Sequence, residues 1–266
     1  MKHIRRQFVQ GSLQTLLAAG MWPGVLDAKE VNTGSFHFVA VNDLHYFNEK
    51  CVPWFERMVK AMTSQPEKID FVLISGDLTE HGTQQQNGVI RDILKTLPFP
   101  YHVVVGNHDY QGPSDRTSFD QLFPKQINYH FEHAGWQFIG LDTSEGQKSK
   151  DVKAPQATFQ WLDDQLPRLN KSKPTILFTH FPLVFGVPFI LQNAKPLLER
   201  FASFNLKAVY SGHYHGFTER KFGQTVLTTN QCCSFARANH DRSPGKGFFV
   251  CSVADGKLNR SMVELK

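Results

Sequence analysis

An α/β fold, with two mixed β-sheets lying face to face and helices outside, is what this 266-residue sequence predicts. Three observations carry that expectation. Five short apolar runs, rich in β-branched or aromatic residues, read as strands. Amphipathic stretches with apolar residues every three to four positions alternate with strands, which argues for a largely parallel, covered sheet. From residue 128 onward, three segments read instead as antiparallel hairpins.

In chain order, residues 36–41 (FHFVAV) run into Asn42, Asp43, Leu44 and His45. Residues 69–75 (IDFVLIS) run into Gly76 and Asp77. Residues 101–105 (YHVVV) lead to Gly106, Asn107, His108 and Asp109. Residues 175–179 (TILFT) lead to His180, and residues 207–211 (KAVYS) to Gly212, His213, Tyr214 and His215. Helical spacing covers residues 52–64, 84–97, 158–169 and 190–204. The hairpins turn at Ala134-Gly135, at Gly223-Gln224 and near Asp255-Gly256. Gly76, Gly106 and Gly212 each precede a polar cluster, where a backbone without Cβ can turn tightly.

Ligands of open α/β sheets gather beyond the carboxyl ends of strands, and all five polar clusters fall at that end. Asp43, His45, Asp77, Asn107, His180, His213 and His215 offer seven oxygen and nitrogen donors. That exceeds the three or four protein ligands of one tetrahedral zinc. It suits two metal ions sharing a carboxylate, and the mixed donors without cysteine suit Mn, Fe or Zn. Two such ions clamp the attacking and departing oxygens of an in-line displacement and generate the nucleophile from water between them. A phosphate ester is the matching substrate, because its transition state spreads negative charge over oxygens. His108 is the expected general acid for the leaving oxygen, with Asp109 orienting its ring.

Taken in order, the DLH, GD, GNHD, H and GHYH blocks, spanning residues 43–215, resemble the five blocks of the calcineurin-like metallophosphoesterases. The resemblance implies a four-layer αββα sandwich. It also implies that Asp43, His45 and His215 hold a first metal and that Asp77 bridges. Asn107, His180 and His213 would then hold the second. It gives His108 the role of protonating the leaving group or steadying the transition state, with Asp109 behind it. The phrase GDLTEHGT resembles the small bacterial branch that includes class III cyclic-nucleotide phosphodiesterases. That branch often has a second His after the ligand His, where this chain has Phe181. The implied activity is hydrolysis of small phosphomono- or phosphodiesters. A cyclic-nucleotide phosphodiesterase, a protein phosphatase and a non-catalytic scaffold on the same fold are the alternatives.

The remaining features are less specific. Net charge is +5, of which residues 1–28 carry +2 (Lys2, Arg5 and Arg6 against Asp27), leaving +3 with no long basic run. That favours a small anionic substrate and gives no reason to expect nucleic acid. The charged front, the uncharged residues 11–26 and Ala28 lay out a signal peptide over residues 1–28, with a single domain over 29–266. Arg5-Arg6-Gln7-Phe8 resembles a twin-arginine export signal, which predicts the export machinery as a partner and a periplasmic destination, with no stable membrane span. Cys51, Cys232, Cys233 and Cys251 lack any CxxC spacing and read as buried thiols. His81, a few residues past Asp77, and Arg237 are candidates to touch substrate. His37, His102, His130, His133 and His240 read as packed histidines. The apolar run 181–191 reads as core, with Phe185 or Phe189 as candidates to cover an apolar leaving group.

Overall fold

The computed structural model describes residues 34–266; the export segment expected over residues 1–28 lies outside them. No helix among the described residues is long and apolar enough to cross a membrane.

In chain order the elements are β1 (Phe36–Val41), α1 (Val52–Thr63), β2 (Phe71–Ile74), α2 (Gln84–Leu94), β3 (Tyr101–Val103) and α3 (Thr117–Leu122). There follow β4 (Tyr129–His133), β5 (Trp136–Leu141), α4 (Gln156–Gln165), β6 (Thr175–Thr179), α5 (Ala194–Glu199) and β7 (Leu206–Ser211). The chain closes with β8 (Thr218–Phe222), β9 (Thr225–Thr229), β10 (Gly247–Ala254) and β11 (Lys257–Glu264). One sheet has the order β11-β10-β1-β2-β3, the other β4-β5-β6-β7-β9-β8. Both are mixed: β1, β2 and β3 are parallel neighbours, as are β5, β6, β7 and β9, and the hairpin strands pair antiparallel.

The period-2 alternation of the strands builds three cores and therefore four layers. In β1, Phe36, Phe38 and Ala40 face the second sheet, while Val39 and Val41 face the helices. In β2, Phe71 and Leu73 face inward and Val72 and Ile74 outward. Ile176 and Phe178 of β6 answer from the other sheet, with Leu177 turned toward α4 and α5. The abundance of Phe has its use between the sheets. Phe38 stacks on Phe71 at 5.3 Å between centroids, and Phe138 meets both edge-on at 5.8 and 5.0 Å. Each such pair contributes about 0.5–1.5 kcal/mol beyond area burial.

The hairpins turn where expected. Ala134-Gly135 and Asp255-Gly256 both take positive φ, as a two-residue turn matched to strand twist requires. All four cysteines are buried, free thiols. Two helical expectations change. α5 covers only residues 194–199 of the stretch 190–204. Its front end is held as a loop by Leu191 N–H to Pro182 O (2.9 Å), and its last turn tightens into bonds three residues back. α3 and its buried Phe119 were not anticipated, because a six-residue helix carries too little periodicity to read.

Candidate metal centre

The carboxyl ends of parallel β1, β2 and β3 meet those of β6 and β7 along one rim. Asp43 N–H donates to Gly76 O (3.1 Å) and His45 N–H to Asp77 O (2.9 Å), so the loops after β1 and β2 run side by side. The sheets are joined at the same place: the Asp43 carboxylate accepts the His213 N–H at 2.9 Å. Asp77 Oδ1 accepts the His108 N–H at 2.8 Å.

Five of the seven candidate ligands hold left-handed backbone: Asp43 (φ 54°), His45 (49°), Asp77 (52°), His213 (63°) and His215 (48°). Non-glycine residues take this conformation at a cost of about 1 kcal/mol or more, and such strain concentrates at functional sites. Glycine serves close approach here as much as turning. Gly76 alone of the three rim glycines has positive φ. A Cβ on Gly106 would stand 2.2 Å from Asp77 Oδ1, and one on Gly212 would stand 2.7 Å from Asp43 Oδ2.

The side chains form two groups that share Asp77: Asp43, His45, Asp77 and His215, and Asp77, His180 and His213. In the first, His215 Nε2 lies 3.2 Å from both His45 Nε2 and Asp43 Oδ1, and His45 Nε2 lies 3.5 Å from Asp77 Oδ2. In the second, His180 Nε2 lies 3.3 Å from Asp77 Oδ1 and 3.1 Å from Asn107 Oδ1. Donors bound about 2.0–2.2 Å from one cation stand about 3.0–3.5 Å apart, so both spacings fit a coordination shell. All seven side chains are buried.

The outer ring nitrogens support the same fit. His180 Nδ1 meets Ser75 O at 2.9 Å, His213 Nε2 meets Ser149 O at 2.9 Å, and His215 Nδ1 meets Ala238 O at 3.3 Å. His45 Nδ1 lies 3.1 Å from Glu80 Oε2, though at an angle outside good hydrogen-bond geometry. The rings of His180, His213 and His215 can thus donate outward and turn a lone pair inward, the tautomer that metal-binding imidazoles need. Burial, aided by His180, pushes His213 down to about 3, so it stays neutral. Burial opposes the charge of Asp43, but His215, His180 and His45 outweigh it and hold the carboxyl well below its usual range. The residues therefore fit two cations bridged by one carboxylate.

A cavity of about 210 Å³ opens onto this cluster, lined among others by His108, Ser149, Lys150, Phe189, Arg237 and His240. His108 Nδ1 lies 2.9 Å from Glu80 O, which leaves Nε2 for the cavity. Asp109, expected behind His108, instead accepts Gly106 N–H (2.9 Å) and Thr79 N–H (3.0 Å). It braces the loop, because adjacent residues of this turn point in different directions. Burial and the nearby Asp77 push its carboxyl up. His81 is also displaced from its expected place. It is exposed, its ring lies against Phe47 at 5.6 Å, and it does not line the cavity. Its neighbour Glu80 turns inward instead.

Glu80 is the residue that sequence reasoning missed. It touches His45, its carbonyl meets His108, and its carboxylate grips Arg237 through Nε (2.9 Å) and Nη2. Burial opposes its charge, but the contacts with His45 and Arg237 prevail and bring it down to about 2. The signal was present in GDLTEHGT as a carboxylate three residues past Asp77. His240, expected to be a packed histidine, stacks on His215 at 4.8 Å and forms cavity wall.

The chain is 27% identical over 213 residues to the glycerophosphodiester phosphodiesterase GpdQ of Enterobacter lignolyticus, covering 70% of this chain and 73% of that one. It is 25% identical over 201 residues to the 3',5'-cyclic adenosine monophosphate phosphodiesterase CpdA of Pseudomonas aeruginosa, covering 70% of each. A dimetal phosphatase from Danio rerio shares the fold, with a TM-score of 0.66 and 16% identity over 85% of this chain and 95% of that one. The sequence model of the calcineurin-like phosphoesterases matches residues 36–217. The chain belongs to the calcineurin-like phosphoesterase family and is a hydrolase of phosphate esters.

Proposed function

We propose that the chain hydrolyses small phosphodiesters with two bound cations. Asp43, His45, Asp77 and His215 would hold one, and Asp77, Asn107, His180 and His213 the other. The carrying observation is Asp77. Its two oxygens lie 3.5 and 3.3 Å from ring nitrogens of two separate donor groups. The mixed nitrogen and oxygen donors suit Mn, Fe or Zn. When bound, such ions supply Lewis acidity toward phosphoryl oxygens and make water nucleophilic near neutral pH.

The protein's own groups do the rest. With Nδ1 donating to the Glu80 carbonyl, His108 presents Nε2 to the cavity, and in the imidazolium form that nitrogen carries the transferable proton. It gives that proton to the departing alcohol oxygen as the P–O bond breaks, while the oxygen of a water that sheds one proton to solvent bonds to phosphorus. Glu80 takes the Nε and Nη2 edge of Arg237 and leaves Nη1 for a phosphate oxygen. Lys150 lines the same cavity and adds positive charge. Diesters are favoured over monoesters because the two similar bacterial proteins are named as phosphodiesterases. Export to the periplasm remains part of the proposal, resting on residues 1–28; cell fractionation tests it.

The test of activity is hydrolysis of bis(p-nitrophenyl) phosphate and p-nitrophenyl phosphate by the Mn²⁺-loaded chain. The diester is expected to react faster, and chelation to stop both. No hydrolysis of either by protein shown to hold metal would refute the proposal.

A further inference from the structure

Beside the metal cavity lies a second groove of about 420 Å³. The two share Phe189 and Lys150 as a common wall. Phe185, Ile190, Asp151 and Gln192 also face the groove.

Two loops form it, and each is rooted in the metal cluster. One leaves His180 at the end of β6 and carries Phe185 and Phe189. The other, between β5 and α4, carries Ser149, whose carbonyl meets the His213 ring, and then Lys150 and Asp151. The loops are stitched together. Gln192 N–H donates to Val152 O (2.9 Å), Ala154 N–H to Asn193 Oδ1 (2.9 Å) and Asn193 Nδ2 to Ala154 O (3.2 Å). The groove is thus built into the frame that orients the ligands.

Its lining is strained and aromatic. Asp151 (φ 53°) and Phe189 (φ 61°) hold left-handed backbone, a rare state for a bulky aromatic residue. Such strain persists where surrounding structure enforces it, as at ligand clamps. The Phe189 ring packs edge-on against His213 at 5.3 Å and lies 5.4 Å from His240, so it stands between the cluster and the groove. Phe185 is 39% exposed and rests on Phe222 at 5.7 Å. The rest of the apolar run behaves as core: Phe181, Leu183, Val184, Val187 and Leu191 are buried. Phe185, Phe189 and Ile190, which reach the groove, escape full burial, as do Gly186 and Pro188 at the loop's bends. Apolar walls with a few polar groups at the rim are the composition of small-molecule sites.

We propose that this groove is a subsite for one ester substituent of a phosphodiester, selecting a flat aryl group over a small alkyl one. The inference rests on the hydrolase reading above, which puts the phosphate in the metal cavity. The substituent then extends past Phe189 and lies against the Phe189 and Phe185 rings.

The experiment compares phenyl p-nitrophenyl phosphate with methyl p-nitrophenyl phosphate, which share a leaving group. The metal-loaded chain is expected to prefer the phenyl ester about fivefold to tenfold in kcat/KM beyond their ratio with hydroxide in solution, the scale of one aromatic contact. Phe189→Leu and the more exposed Phe185→Ala should each shrink that preference. Calorimetry supplies a readout without turnover: diphenyl phosphate should bind several-fold more tightly than dimethyl phosphate. Equal preference for the two esters, or a preference that neither variant moves at full metal content, would overturn the subsite. If neither ester is hydrolysed, the hydrolase reading fails separately, and the calorimetric ratio still decides the subsite.

Discussion

Glu80→Gln keeps the shape of the side chain and removes its charge. The structure lets its effect be sized. Contacts with His45 and Arg237 lower the carboxyl from an ordinary 4.5 to about 2. A shift of that size corresponds to about 3 kcal/mol of preference for the charged form. Solvent reaches part of the carboxylate and screens the interaction, so about half of that is retained, about 1.5 kcal/mol. Loss of the charge frees the outer nitrogen of His45 and the fork of Arg237 together. The expected result is about a ten- to thirtyfold fall in kcat/KM for bis(p-nitrophenyl) phosphate, within the range of outer-sphere substitutions at metal sites. Because Glu80 and Arg237 act as a unit, the double variant Glu80→Gln with Arg237→Gln should cost little more than the worse single one. The assay is steady-state kinetics with metal content measured on each sample. A Glu80→Gln enzyme within twofold of wild type at full metal loading would refute the positioning role.

Gly106→Ala should displace Asp77, since its Cβ would stand 2.2 Å from Oδ1, and reduce activity more than about a hundredfold; kinetics and metal content check it. His108→Ala should lower kcat about a hundredfold or more on alkyl diesters and far less on p-nitrophenyl esters, whose leaving group needs little protonation; a leaving-group series checks it. Mn²⁺ at a hundred times its dissociation constant should stabilise the fold by about 2.7 kcal/mol for each ion bound. Calorimetric melting would read each ion as a rise of about 5–10 °C in Tm over the chelated chain. His102, stacked on Phe131 at 3.6 Å, is lowered to about 4 by burial and by His133. Its folded value lies below its unfolded one, so the unfolded chain binds more protons and stability falls as pH drops from about 6.5 toward 4. Denaturant titration across that window should give His102→Phe an acid-side advantage of about 1–3 kcal/mol; parallel curves for both proteins would contradict it.

The ligand types and strand tips were legible because both are local. An apolar run that stops at Asp, His or Asn is written in consecutive letters, and β1, β6 and β7 begin or end within a residue of where those letters place them. What was hidden depends on direction. Asp109 is adjacent to His108, yet the turn sends its carboxylate to Gly106 and Thr79. His81 and Glu80 are neighbours, and the chain turns Glu80 inward and His81 to solvent. Ser149, Lys150, Phe189 and His240 reach the cavity only through loops whose packing is set by distant contacts. The left-handed backbone at five ligands was likewise unreadable, since Asp and His adopt it only where surrounding structure enforces it.

Equilibrium dialysis against Mn²⁺ counts the ions held per chain. Two are expected in the wild-type protein, and no more than one in Asp77→Ala, with hydrolysis lost alongside. A wild-type chain that binds one ion or none while still cleaving phosphodiesters would contradict that expectation.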